Sequence, residues 1–101
     1  MIQSLSIIMP CYNEQDAIPK VLPRTLKSLD ELKSSGQIQD FELIVVNDKS
    51  TDRSVEYIEK FQNVKLVHTN GTGRGYGKAL KEGFKIAQSE WIGFLDMDNS
   101  Y

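Results

Sequence analysis

Apolar residues along this chain come in two spacings that take turns. Leu5, Ile7, Ile8 and Met9 make a short run rich in β-branched residues. Such a run fits a strand buried on both faces, and Pro10 is expected to stop it. From Ala17 to about Ser34 the apolar residues are Ile18, Val21, Leu22, Leu26, Leu29 and Leu32. Their three- and four-residue intervals predict a helix. Asp16 is its expected N-cap and Pro19 suits its first turn. Pro23 is expected to bend it or delay its start, and Gly36 to end it.

The alternation continues to the end of the chain. Phe41 to Val46 predicts a second strand. Ser50 or Thr51 then caps a helix with Val55, Ile58 and Phe61 on one face, and Val64 to Val67 predicts a third, shorter strand. A glycine-rich loop covers Asn70 to Gly77, and a helix carrying Leu80, Phe84, Ile86 and Ala87 follows to about Gln88. Trp91 to Leu95 is a fourth strand that delivers Asp96. Strands alternating with helices imply right-handed crossovers. The expected fold class is α/β, a Rossmann-like open parallel sheet with helices on both faces. In such sheets ligands bind beyond the carboxyl ends of the strands. Asn13 and Glu14, Asn47 and Asp48, and Asp96 and Asp98 all follow strands, so three loops aim acids and amides at one crevice.

Composition narrows the class of function. The 101 residues suffice for one small domain, taken as 1–101. A net charge of −2 without a Lys/Arg cluster argues against a nucleic-acid partner. The apolar runs are strand-length, too short for a membrane-spanning helix. No signal peptide is visible. The single cysteine, Cys11, rules out an internal disulfide and fits a reducing, cytoplasmic setting.

The candidate chemistry lies in the strand-end loops. Asp96 and Asp98 stand two positions apart, so on an extended chain they share a side and repel unless a cation lies between them. Hard oxygen ligands suit Mg²⁺ or Mn²⁺, which keep positions open for substrate phosphates. A lone D-x-D is more often a solvated turn; position after a strand, with polar company from two others, favours a site. Ser50, Thr51 and Asp52 read as helix-cap residues. A cap does not explain Asp48, whose carboxylate could accept a hydrogen bond from a nucleobase N–H. Tyr12 could stack on a base or pack at the rim. Cys11 reads as a space-filler without a His partner, and His68 as structural or at the rim. The run Gly71 to Lys78 fails both the dinucleotide and P-loop patterns. It remains a loop feeding a helix N-terminus, with Arg74 in reach of a pyrophosphate.

Together these segments resemble family 2 glycosyltransferases, which have a GT-A fold. The resemblance rests on Leu5 to Glu14, Phe41 to Asp52, Gly73 to Ala79 and Phe94 to Asp98, in the family's order and spacing. The ending Asp98-Asn99-Ser100-Tyr101 looks most like the branch that glycosylates polyprenyl or dolichyl phosphate. The resemblance implies a base pocket lined by Pro10 and Tyr12 beside Glu14, with Asp48 on the nucleobase. It implies Arg74 at the pyrophosphate, and Asp96 and Asp98 as metal and pyrophosphate ligands. Asn47 stands where many relatives have an acid. Lys49 stands where they often have glycine, implying a backbone angle there that needs none. The family runs well beyond this length, so the chain is expected to be the donor-binding part alone, inactive by itself.

The implied reaction is metal-dependent inverting transfer of a sugar from a nucleoside-diphosphate sugar to an acceptor, a polyprenyl phosphate or a saccharide. No catalytic base is identified, and any membrane contact would come through downstream segments, at the cytoplasmic face. Two alternatives stand beside it. A nucleotidyltransferase would open with a glycine-rich basic signature after strand one, where this chain has Cys11-Tyr12-Asn13-Glu14. A non-catalytic nucleotide-binding module would need only the residues already named.

Overall fold

The computed structural model describes residues 2–71 and 75–97. The elements run β1 (Ile2–Cys11), α1 (Ile18–Ser34), β2 (Ile38–Asn47), α2 (Ser54–Ile58), β3 (Val64–His68), α3 (Tyr76–Ile86) and β4 (Trp91–Phe94). The four strands form one parallel sheet in the order β3-β2-β1-β4. Every expected element is present, in the expected order. Among the described residues, no helix is long and apolar enough to cross a membrane.

Strand alternation divides the core between two faces. Ile7, Met9 and Cys11 of β1 and Leu43 and Val45 of β2 face α1 and α2, where Ile18, Val21, Leu22, Leu26, Leu29 and Ile58 are buried against them. Ile8, Ile44 and Val46 face α3 and meet Ala79. On the α3 side the helix approaches the sheet closely. A Cβ added to Gly83 would lie 2.5 Å from Ile8 Cγ2, so this glycine lets the helix sit directly on the central strand.

Three local expectations are corrected. β1 does not stop before Pro10 but continues to Cys11, with Pro10 in register with Val46. Ile8 C=O accepts from Leu95 N–H on the β4 side. Two residues on, Pro10 presents its missing donor to that same side, beyond the end of β4, so no ladder bond is lost. α1 is not capped by Asp16. Its N-cap is Ala17, with no side-chain cap bond, and Ala17 and Ile18 N–H both donate to Glu14 C=O. Nor is the helix delayed by Pro23, which lies inside its continuous span. Gly36 ends it as expected, with φ of +82° and bonds from Gly36 N–H to Lys33 C=O and Gln37 N–H to Leu32 C=O.

At the opposite end of the sheet, Gln88 N–H donates to Glu42 (2.8 Å), and Glu90 N–H to Ser4 Oγ (3.0 Å). These bonds tie the approach to β4 against β1 and β2. β4 itself is short, and Trp91, Ile92 and Phe94 are exposed along it.

Candidate functional site

The sheet order places a reversal at β1. The chain steps outward from β1 to β2 and β3, then returns to lay β4 on the other side of β1. Beyond the carboxyl ends of these strands lies an open pocket of about 400 Å³, lined by Pro10, Cys11, Tyr12, Glu14, Asp48, Gly75, Tyr76, Ala79, Asp96 and Met97. It therefore brings together Pro10, Tyr12, Glu14, Asp48 and Asp96, five of the seven residues singled out from sequence. The other two, Arg74 and Asp98, lie outside the described residues.

The floor is built by stitching the loop after β1 to the loop after β2. Asn13 N–H donates to Ser50 Oγ (2.9 Å), and Asn13 Oδ1 accepts from the N–H of Thr51 (2.7 Å) and Asp52 (3.3 Å). Glu14 N–H donates to Ser54 Oγ (2.9 Å), and Gln15 N–H to Asp52 Oδ2 (3.3 Å). This corrects the reading of Ser50 and Thr51 as caps. α2 starts later, with Arg53 at its N-cap, and Asp52 Oδ1 accepts from Ser54 N–H (2.9 Å). Asn13, expected to face the crevice, serves the stitch instead. Burial alone would raise the Asp52 pKa. The bonds from Ser54 and Gln15 outweigh it and hold the carboxyl below its ordinary value.

Asp48 is buried at the end of β2. Its Oδ1 accepts from Thr69 Oγ1 (2.8 Å), and its Oδ2 from Gly75 N–H (2.7 Å). A carboxylate offers about four acceptor positions. Two are thus used to hold the ends of the glycine-rich segment, and capacity remains for a ligand N–H. The next residue overturns an expectation. Lys49 has φ of +63°, inside the left-handed region that favours glycine. Its Nζ donates to Thr69 Oγ1 (3.2 Å) and lies 4.0 Å from Asp48 Oδ1, contacts that tie the turn down. Desolvation and the neighbouring Lys78 ammonium hold the Lys49 pKa below the usual lysine range, against the pull of Asp48. Asn47 does not face the pocket. Its amide pairs with His68 Nδ1 (3.1 Å), and its Oδ1 accepts from Ser50 N–H (3.2 Å). His68 ends β3 at the rim, exposed, with its ring held by that amide.

The opposite wall comes from β4 and α3. Met97 is 2% exposed and belongs to the core on the α1 side, which anchors the loop that carries Asp96. Tyr76, in the first turn of α3, donates its hydroxyl to Asp96 Oδ1 (2.7 Å). Sequence reasoning passed over Tyr76, Gly75 and Thr69. The signal was present only as an aromatic at a loop–helix junction, which patterning does not distinguish from packing.

Cys11 also borders the pocket, but it is 1% exposed. Burial pushes its thiol up to about 11, against weaker opposing bonds from Ser54 and Ser50. The neutral thiol is a poor nucleophile. Alkylation of the folded protein at pH 8 should therefore be slower than that of the urea-unfolded chain by about two orders of magnitude, following the thiolate fraction. Equal rates, read by mass spectrometry, would refute this placement. The linkage has a definite sign. The raised pKa contributes stability that is fully present below about 9, the ordinary thiol value, and is lost as pH rises through about 11.

The resemblance implies a divalent cation. Among the described residues, no group of three His, Cys, Asp or Glu is placed to hold one. Asp96 at the pocket wall is the kind of single hard ligand that Mg²⁺ and Mn²⁺ use when substrate phosphates complete their shell. The donor chemistry therefore fits such an ion without a preformed cage.

The profile of glycosyl transferase family 2 matches residues 6–101. The chain belongs to this family. It is 35% identical over 101 residues to an undecaprenyl-phosphate 4-deoxy-4-formamido-L-arabinose transferase of Proteus mirabilis (strain HI4320), covering 96% of this chain and 29% of that protein. It is 31% identical over 100 residues to a dolichyl-phosphate beta-glucosyltransferase of Trichomonas vaginalis, covering 95% of this chain and 30% of that protein. Among solved structures, residues 1–349 of Staphylococcus aureus TarS in complex with UDP superpose with a TM-score of 0.77 at 31% identity, covering 95% of this chain and 28% of that one. The fold class is thus the α/β arrangement of GT-A glycosyltransferases. The chain spans about 30% of the length of the curated relatives it matches.

Proposed function

We propose that residues 1–101 supply the donor site of a family 2 glycosyltransferase, binding a nucleoside-diphosphate sugar whose glycosyl group passes to a polyprenyl phosphate. The observation that carries this reading is the meeting of Pro10, Tyr12, Glu14, Asp48 and Asp96 around one pocket at the reversal of the sheet. Asp48, Pro10 and Tyr12 form the base end, where Asp48 can accept a nucleobase N–H and Tyr12 can cover the ring. Asp96 marks the diphosphate end, and Arg74 and Asp98 are assigned to that end on sequence. UDP is the first nucleotide to test, because TarS is similar to this chain and its structure holds UDP.

Asp96 and Asp98 would hold the cation, which when bound offsets the charge developing on the departing diphosphate. The polyprenyl phosphate acceptor is supported by the relatives of Proteus mirabilis and Trichomonas vaginalis. A phosphate monoester has a second pKa of about 6, so its oxygen is ionised at neutral pH and needs no strong base. That oxygen bonds to the anomeric carbon on the face opposite the diphosphate. The bond to the diphosphate breaks with its electron pair, and the configuration inverts.

The test is the melting temperature of the intact protein with UDP, GDP or dTDP, each with and without Mn²⁺. One nucleotide should raise it, by several degrees, only when the metal is present. Asp96→Asn combined with Asp98→Asn should abolish the shift. A shift of equal size without metal would contradict the assignment.

A further inference from the structure

The acids at the two ends of the pocket are both held by the start of α3. Gly75 N–H reaches Asp48 Oδ2 and the adjacent Tyr76 hydroxyl reaches Asp96 Oδ1, each at 2.7 Å. Asp48 and Asp96 come from different strands separated by β1 in the sheet. Consecutive residues of one helix start therefore span the pocket between them. Resting on the donor-site reading above, we propose that Tyr76 is a positioning residue for Asp96, fixing its carboxylate at the diphosphate end.

The surroundings of Tyr76 support a role for its hydroxyl over a role for its ring. The residue is 49% exposed, so burial of the ring alone does not fix its position and the hydroxyl bond adds to it. A phenol donating to a carboxylate makes a short, charge-assisted bond, as the 2.7 Å separation shows. The base of the strut is stiff. α3 runs for 11 residues, Ala79 is buried against the sheet, and Gly83 seats the helix on Ile8. Asp96 is in turn rooted by the buried Met97 next to it. A carboxylate held between two rooted elements does not need to be ordered when the donor binds, and that ordering cost is removed from the affinity.

The experiment measures affinity by calorimetry on the intact protein, for UDP with Mn²⁺ and for uridine without metal. Uridine reports the base end alone. Tyr76→Phe keeps the ring and removes the hydroxyl. It should weaken UDP with Mn²⁺ about tenfold, the effect of losing one hydrogen bond to a charged group, and leave uridine unchanged. In the Asp96→Asn background the same substitution should add no further loss, because the bond it removes is already altered. Unchanged UDP affinity in Tyr76→Phe, an equal loss for uridine, or a full additive loss on Asp96→Asn would each overturn the role of Tyr76. Those outcomes leave the donor site standing. Wild-type protein that fails to bind any of UDP, GDP or dTDP with Mn²⁺ would instead overturn the donor-site reading and this inference with it.

Discussion

Asp48→Ala is expected to cost the protein both its nucleotide and part of its fold. The carboxylate side chain is 5% exposed and accepts from two donors on different segments, Thr69 Oγ1 and Gly75 N–H. Alanine leaves both without that acceptor, and water entering from the pocket that Asp48 borders replaces it only in part. Each lost bond to a buried charge is worth roughly 1.5–3 kcal/mol. Part is recovered by relaxation of the adjoining loop, so a loss of about 3 kcal/mol in urea-unfolding free energy is expected. Nucleotide affinity should fall further than one ligand contact explains, by about a hundredfold, because the start of α3 loses its tether at the same time. Asp48→Asn separates the effects. Its amide oxygen can still accept one of the two bonds, so stability should fall by less, while the charge that attracts the base N–H is gone. Full nucleotide affinity in Asp48→Asn would remove Asp48 from the base end of the pocket.

The second large effect concerns packing under the same helix. A Cβ at Gly83 would lie 2.5 Å from Ile8 Cγ2 and 3.2 Å from Ile8 Cδ1, and Ile8 is fully buried in the central strand. The γ-methyl of a β-branched residue has no low-energy alternative in a packed core. Gly83→Val must therefore push α3 off the sheet, at a cost of about 3 kcal/mol in unfolding free energy. Gly77 is the control. It lies in the first turn of the same helix, and a Cβ there meets nothing within 4 Å. Gly77→Ala should stabilise by about 0.5–1 kcal/mol through lower unfolded-state entropy. Denaturant melts of the two variants should move in opposite directions. A neutral Gly83→Val would mean that α3 does not rest on Ile8.

How much of this could be read from the sequence depended on the scale of the signal. Element order followed from apolar spacing, because burial on two faces imposes it on β1 and β2 and a one-sided stripe imposes it on α1. The pocket followed from topology plus the polar residues after each strand. What sequence concealed was the pairing of short polar side chains. Asn13, Ser50, Thr51 and Asp52 suit a helix cap and an inter-loop stitch equally well, and only the register of β1 against β2 decides between them. Lys49 was misread for a related reason. A residue other than glycine signals an ordinary backbone unless tertiary contacts hold it in the left-handed region, and Thr69 and Asp48 do so here. Pro10 looked like a terminator because a proline's damage depends on which edge its nitrogen faces, and that is a property of the neighbouring strands.

The position of β4 in the sheet divides the pocket by the sequence span of its contacts. Glu90 N–H reaches Ser4 Oγ across 86 positions, and β4 follows β3 in the chain while docking beside β1. Residues 2–68 contain β1, β2 and β3 with both helices of one face, and with them Pro10, Tyr12, Glu14 and Asp48. These join through comparatively local contacts. The wall that carries Asp96 joins through a closure of greater span, which costs somewhat more loop entropy. The two ends of the pocket thus differ in contact order, the Asp96 end resting on the longer-range pairing.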